Sequence, residues 1–85
     1  MDDQDFALRE GKQVTLGATD LVVTDHPAPH RETYRAIRAF RAGEYGFGTR
    51  VYYVTYRTDS EAVDLVFPDR DTRDRFVEAL RARLD

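Results

Sequence analysis

The most evident chemical feature of the chain is a group of arginines around a glycine-rich segment, "GEYGFG", that carries two aromatic rings. Arginine guanidinium groups bind phosphate or carboxylate through paired hydrogen bonds. Aromatic rings stack on nucleic-acid bases or anchor protein interfaces. We therefore predict a partner-binding surface formed by Arg35, Arg38, Arg41, Tyr45, Phe47 and Arg50.

Residues suited to catalysis or metal binding are few. Ser60 is the single serine, and it lies in a polar turn, where serine is common. His26 and His30 flank prolines beside Asp25, but this segment offers no further ligand, which favours solvated loop histidines over a metal site. The aspartates around Asp69 are explained by helix capping and surface charge. The sequence thus predicts a non-enzymatic protein with no cofactor and no metal.

The size and composition of the chain limit its class. With 85 residues there is room for one domain, residues 1–85, with one core. The absence of cysteine excludes disulfides and thiolate sites and suits a reducing compartment. The acidic start is unlike a secretory signal, and the apolar runs are far shorter than the roughly 18 residues of a membrane span. We expect a soluble, cytoplasmic protein without a membrane span.

Short apolar pieces separated by turn residues predict the strands. Residues 6–25 contain three such pieces, which favour a meander. The segments 50–58 and 62–67 predict a hairpin. Its expected inward side chains are Tyr52, Val54, Tyr56, Val63, Leu65 and Phe67.

The end of the chain predicts an amphipathic helix. An apolar stripe runs along it, with Asp69 or Asp71 as a candidate N-cap. The stripe consists of Phe76, Val77, Leu80 and Leu84.

Residues 31–42 allow two interpretations. As a helix, they would place Ile37 and Phe40 on one side and Arg35 and Arg38 on the other, and Gly43 would end the helix. As a strand, the alternation is less regular. The order of the neighbouring elements decides between the two.

Four features define that order: "TDLVVTD" in an early strand, the spacing of Tyr34, Ile37 and Phe40, the hairpin "VYYVTYRTDSEAVDLVF" and the helix "RDRFVEALRARL". Together they resemble the pleckstrin-homology-like fold, especially its bacterial and GRAM-type members. The resemblance implies an α+β fold: a mostly antiparallel β meander, forming a bent sheet or partly open barrel, with one C-terminal amphipathic helix. It also implies that the segment around Tyr34 is a strand that bends near Ala36. The alternative is a two-layer α+β domain with an extra helix at 31–42.

The resemblance further implies a protein-interaction or adaptor module. Its partner would be another protein, or a second copy bound through a sheet edge. Lipid binding is not expected, because the first turn carries only Arg9 and Lys12 as basic residues and each adds roughly 1 kcal/mol on an anionic surface. The alternative is an α+β domain that binds nucleic acid through the arginines, weakened by the net charge of -3 and by salt.

Overall fold

A computed structural model of the protein describes residues 3–24, 29–46 and 48–84. Asp25, His26 and Phe47 lie outside the described residues. Within them, two antiparallel sheets are followed by one helix, which confirms the α+β expectation, and the sheets do not close into a barrel. The elements are β1 (Gln4–Ala7), β2 (Gln13–Leu16), β3 (Asp20–Thr24), β4 (His30–Thr33), β5 (Ala39–Tyr45), β6 (Val51–Arg57), β7 (Ala62–Phe67) and α1 (Arg70–Leu84).

The first sheet is a meander in the order β1-β2-β3-β4. The three strands predicted within residues 6–25 are therefore confirmed. Side chains alternate between the two faces of a strand, and one face of this sheet is buried. Its buried residues are Phe6, Val14, Leu16, Leu21 and Val23.

The second sheet has the order β5-β6-β7. Val54 lies opposite Leu65, and Tyr56 lies opposite Val63, as the predicted hairpin requires. Val54 and Tyr56 are fully buried on the inner face. Asp64 points outward beside Thr55, whose hydroxyl donates a 2.6 Å hydrogen bond to its carboxylate.

Residues 31–42, for which the sequence allowed a helix or a strand, form no α-helix. β4 ends at Thr33, a short 3₁₀ turn covers Tyr34–Ala36, and β5 begins at Ala39. Tertiary contacts oppose the helix: the Tyr34 hydroxyl donates a 2.7 Å hydrogen bond to the Gly17 carbonyl. This bond, and the one that the Arg38 N–H donates to the Arg57 carbonyl, override the local helical periodicity, so the alternative helix is wrong. The chain turns at Tyr34–Ala36, where a bend was expected, but Tyr34 lies in this turn and not in a strand.

Helix α1 packs against both sheets and completes one core. Phe76 is fully buried, with its ring 5.4 Å from Phe6 of the first sheet and 5.1 Å from Phe67 of the second. The Thr72 N–H donates a 2.8 Å hydrogen bond to Asp69 Oδ1, so Asp69 is the N-cap. In the described part of the chain, no helix is both long enough and apolar enough to cross a membrane.

Candidate functional site

The outer face of the second sheet carries aromatic and cationic side chains that the core does not use. Tyr45 is 61% exposed. The register places Tyr45 opposite Val51, and Gly43 opposite Tyr53. Strand alternation adds Arg41 to the same face. We call this surface the outer face; its members are Ala39, Arg41, Gly43, Tyr45, Val51, Tyr53, Thr55, Arg57, Ala62, Asp64 and Val66.

The two tyrosines of the outer face form a pair. Their ring centroids lie 5.7 Å apart with the planes tilted by 53°, within the range of favourable aromatic contacts. The Tyr53 ring covers Gly43: a Cβ atom added there would lie 2.5 Å from the Tyr53 hydroxyl oxygen. Gly43 therefore leaves the space in which Tyr53 lies flat against the sheet beside Tyr45.

Two of the predicted arginines are occupied by acidic neighbours. Arg38 donates two hydrogen bonds, of 3.0 and 2.9 Å, to the carboxylate of Asp59, and these bonds lower the pKa of Asp59. Arg50 donates a 3.1 Å bond to Glu44, which also accepts from Arg70 of α1. Such exposed pairs add little stability, but they hold the two guanidinium groups on carboxylates of the same chain.

The predicted binding residues do not form one patch. Arg41 and Tyr45 share the outer face, whereas Arg35 lies in the 3₁₀ turn between the two sheets. Neither Arg35 nor Arg41 belongs to a salt bridge between described residues, and both are exposed. Phe47 lies outside the described residues, so its predicted exposure stays a prediction.

Sequence reasoning missed the contribution of Arg57 to this surface. Arg57 lies opposite Ala39 and Ala62 at the far end of the outer face. The alternation of β6 could have identified it, because Tyr53, Thr55 and Arg57 share one face.

A second polar group lies where the inner faces of the two sheets meet. His30 and Glu32 lie opposite the buried residues Val23 and Leu21, so their side chains project inward from β4. Glu61 approaches from the turn before β7, and its carboxylate lies 3.4 Å from His30 Nε2. We call His30, Glu32 and Glu61 the edge cluster.

The Tyr56 hydroxyl lies within electrostatic range of the edge cluster. Tyr56 is fully buried, and its hydroxyl has no hydrogen-bond partner among the described residues. Burial, and then the negative charges of Glu32 and Glu61, raise the pKa of this hydroxyl. Sequence reasoning had considered His30 only with Asp25 and His26, because Glu32 and Glu61 are brought to it by sheet pairing rather than by sequence proximity.

Ser60 serves the turn in which it was predicted. Its hydroxyl lies 3.3 Å from that of Thr58. The Thr58 hydroxyl accepts hydrogen bonds from the backbone N–H groups of Ser60 and Glu61. These bonds close the β6–β7 turn and so position Glu61 in the edge cluster.

The two groups suit different ligands. The outer face offers rings and guanidinium groups to a protein or a nucleic acid, whereas the edge cluster offers one imidazole nitrogen and two carboxylates to a cation. No protein-family model, no curated protein and no solved structure matches this chain.

Proposed function

We propose that this protein is a non-enzymatic interaction module that binds another protein through its outer face. The observation that carries the proposal is the Tyr45 ring, which is 61% exposed and whose centroid lies 5.7 Å from that of Tyr53 on a sheet face that no other described element covers. Tyrosine and arginine are enriched among residues that dominate binding energy at protein interfaces. Tyrosine also loses little side-chain entropy on binding, since it has only two side-chain torsions.

The charges on the outer face indicate the kind of partner. Arg41 and Arg57 supply two cations, and Asp64, the acidic residue of this face among the described residues, accepts a hydrogen bond from Thr55. Arg41 is in no salt bridge with a described residue, so its guanidinium can bind a carboxylate of a partner. The surface therefore fits an acidic segment that also carries apolar side chains for the tyrosine pair and Val51.

The pleckstrin-homology-like assignment is part of this proposal. Its support is the succession of two antiparallel sheets and one terminal amphipathic helix that packs against both of them. A fold of this kind hosts many functions, so the argument for binding comes from the outer face itself. We also propose a cytoplasmic location, supported by the absence of cysteine from the sequence.

Single-stranded nucleic acid is the second candidate ligand. The paired tyrosines provide a flat surface on which bases could stack, and Arg41 and Arg57 could contact phosphates. The net charge of -3 opposes this function, because phosphate is repelled by the rest of the molecule and binding would fall steeply with salt.

A peptide selection with a matched set of variants tests the proposal. A random peptide library is selected on the wild-type protein, with removal of peptides that also bind Tyr45→Ser. Fluorescence anisotropy then measures the affinity of the selected peptides for wild type, Tyr45→Ser, Arg41→Ala and Arg75→Ala. Arg75 is an exposed α1 arginine outside the outer face, so Arg75→Ala controls for loss of one positive charge.

We expect the selected peptides to carry both acidic and apolar residues. Their affinity should fall about tenfold or more in Tyr45→Ser and Arg41→Ala, an effect of the size typical of interface anchors. Their affinity for Arg75→Ala should equal that for wild type. Equal loss in Arg41→Ala and Arg75→Ala, or no selected peptide, would overturn the proposal. A short single strand that binds at low salt and is lost in the same outer-face variants would favour nucleic acid instead. Sedimentation of the free protein reports self-association through a sheet edge separately.

A further inference from the structure

The edge cluster brings together three metal-binding side chains from separate parts of the chain. His30 and Glu32 lie two residues apart on the inward side of β4. Glu61 belongs to the β6–β7 turn of the second sheet, and its carboxylate reaches His30 from there. The cluster thus spans the opening between the sheets, and its ligand atoms all lie within 4.8 Å of one another.

The spacing of these atoms suits a small cation. His30 Nε2 lies 3.4 Å from Glu61 Oε1 and 3.6 Å from Glu32 Oε1. Nitrogen and oxygen ligands of zinc lie about 2.0–2.2 Å from the ion, so neighbouring ligands of a tetrahedral site are about 3.3–3.6 Å apart. Both distances agree with that separation, and the two glutamate ligand atoms lie within 4.8 Å of each other.

The imidazole of this cluster has an unsatisfied ring nitrogen. His30 Nε2 is buried and has no hydrogen-bond partner among the described residues, although it faces two carboxylates. Carboxylate oxygens only accept hydrogen bonds, and so does an unprotonated imidazole nitrogen. A cation among the three ligands, or a proton on Nε2, would remove this conflict.

The Tyr56 hydroxyl is a second buried polar atom in this part of the fold. It is buried without a partner among the described residues, next to a region whose charge is set by Glu32 and Glu61. A hydroxyl in this position can donate to a carboxylate oxygen that an ion draws toward the cluster. A groove of about 450 Å³ reaches His30 and Glu61 from solvent and gives an ion access.

We propose that His30, Glu32 and Glu61 bind one divalent transition-metal ion, for which Zn²⁺ has the best-matched chemistry. One imidazole and two carboxylates are ligands that Zn²⁺ accepts, and a water or a partner's side chain would complete four-fold coordination. The absence of cysteine removes the thiolates that select softer ions such as Cu(I). The ion would link β4 to the β6–β7 turn and so hold the two sheets together at their open side.

Titration of the untagged, chelator-treated protein with Zn²⁺ tests this site. Calorimetry gives the stoichiometry and the affinity, and Co²⁺ gives a visible absorption band whose intensity reports four-fold coordination. The variants are His30→Ala and Glu61→Gln, and Glu78→Gln on the exposed side of α1 is the matched control. Glu61→Gln preserves the backbone carbonyl that closes the turn with Thr58, so we expect this variant to fold.

We expect one Zn²⁺ per chain. The affinity should fall more than about tenfold in His30→Ala and Glu61→Gln, because loss of a ligand costs at least as much as loss of a supporting contact. Glu78→Gln should leave the affinity unchanged. The melting temperature should rise with Zn²⁺ in wild type and much less in Glu61→Gln. Ca²⁺ and Mg²⁺, which prefer all-oxygen sites, should bind far more weakly. No Zn²⁺ binding, or binding that Glu61→Gln leaves unchanged, would overturn the site and identify the cluster as a histidine–carboxylate ion pair.

Discussion

The two faces of the three-stranded sheet have similar sequence patterns and different surroundings. On the inner face, Val54 and Tyr56 are fully buried against α1 and the first sheet. On the outer face, Tyr45 is 61% exposed, and Val51 and Tyr53 are only half-buried. Strand β6 is apolar on both sides, yet only one side is packed against the rest of the described chain.

Burial in the core does not account for the apolar residues of the outer face. A small domain can bury only a limited apolar surface. Helix α1 covers the inner face, where Phe76 contacts Phe6 of the first sheet and Phe67 of the second. Contiguous exposed apolar patches often mark interaction sites, and the tyrosine pair contributes apolar area to the outer face. Substitutions on one face at a time therefore test the roles of the two faces most directly.

The largest expected effect comes from a pair of identical substitutions in β6. Val54→Ala removes two buried methyl groups, each worth about 0.8 kcal/mol, and leaves a cavity, so the free energy of unfolding should fall by about 2 kcal/mol. Val51→Ala, on the outer face, should change it by less than about 0.5 kcal/mol. Urea denaturation measures both values. Similar losses in the two variants would show that the outer face is also part of the core.

Much of this fold was predictable because its strands and helix bury residues in regular alternation. The inward positions of Val54, Leu65 and Phe67 and the stripe of Phe76 and Leu80 follow directly from the periods of a strand and a helix. The exception was residues 31–42, whose helical periodicity is opposed by bonds to distant backbone. Tyr34 donates to Gly17 and the Arg38 N–H donates to the Arg57 carbonyl.

The candidate sites were less predictable, since they depend on contacts between distant residues. Tyr45 was identified from its glycine-rich setting, but the pairing of Arg38 with Asp59 joins residues 21 positions apart. His30 and Glu61 meet only because β4 and the β6–β7 turn face each other across the opening. Spacing along the sequence does not reveal such long-range contacts. The sequence therefore indicated Asp25 and His26, which are near His30 in the chain, rather than Glu32 and Glu61.

Two tyrosine hydroxyls, one without a hydrogen-bond partner and one with a partner, should affect the free energy of unfolding in opposite directions. The Tyr56 hydroxyl is buried without a partner among the described residues, whereas that of Tyr34 donates to the Gly17 carbonyl at 2.7 Å. Tyr56→Phe should raise the free energy of unfolding by about 1 kcal/mol, because an unpaired buried hydroxyl is costly. Tyr34→Phe should lower it by about 1 kcal/mol.

Urea denaturation in the presence of a chelator measures both variants without interference from bound metal. Opposite signs for the two substitutions would support the assignment of one satisfied and one unsatisfied hydroxyl. A loss of stability in Tyr56→Phe would instead show that its hydroxyl has a hydrogen-bond partner in solution.

A smaller effect is expected at the start of α1, the helix that covers only the inner face. The backbone N–H of Thr72 donates to Asp69 and lowers the pKa of this carboxyl. Because the pKa is lower in the folded state, the stabilisation is present above the ordinary value of about 3.9 and is lost as the pH falls through the folded value. Asparagine caps helices as well as aspartate does but does not titrate.

Wild type should therefore lose more stability than Asp69→Asn when the pH falls from about 5 to about 2, while the two proteins stay close at neutral pH. Thermal denaturation across this interval measures the difference. Parallel curves for the two proteins would mean that the charge of Asp69 contributes nothing to the start of the helix.

The smallest expected effect on stability is at the residue with the greatest expected effect on binding. Tyr45→Ser removes a ring that is 61% exposed, so the free energy of unfolding should change by less than about 0.5 kcal/mol, measured by urea denaturation beside the peptide titration. Unchanged stability with lost peptide affinity would mean that Tyr45 serves a partner rather than the fold. A loss above about 1 kcal/mol, a size typical of core substitutions, would place the tyrosine pair among the structural contacts and remove the distinction between the faces.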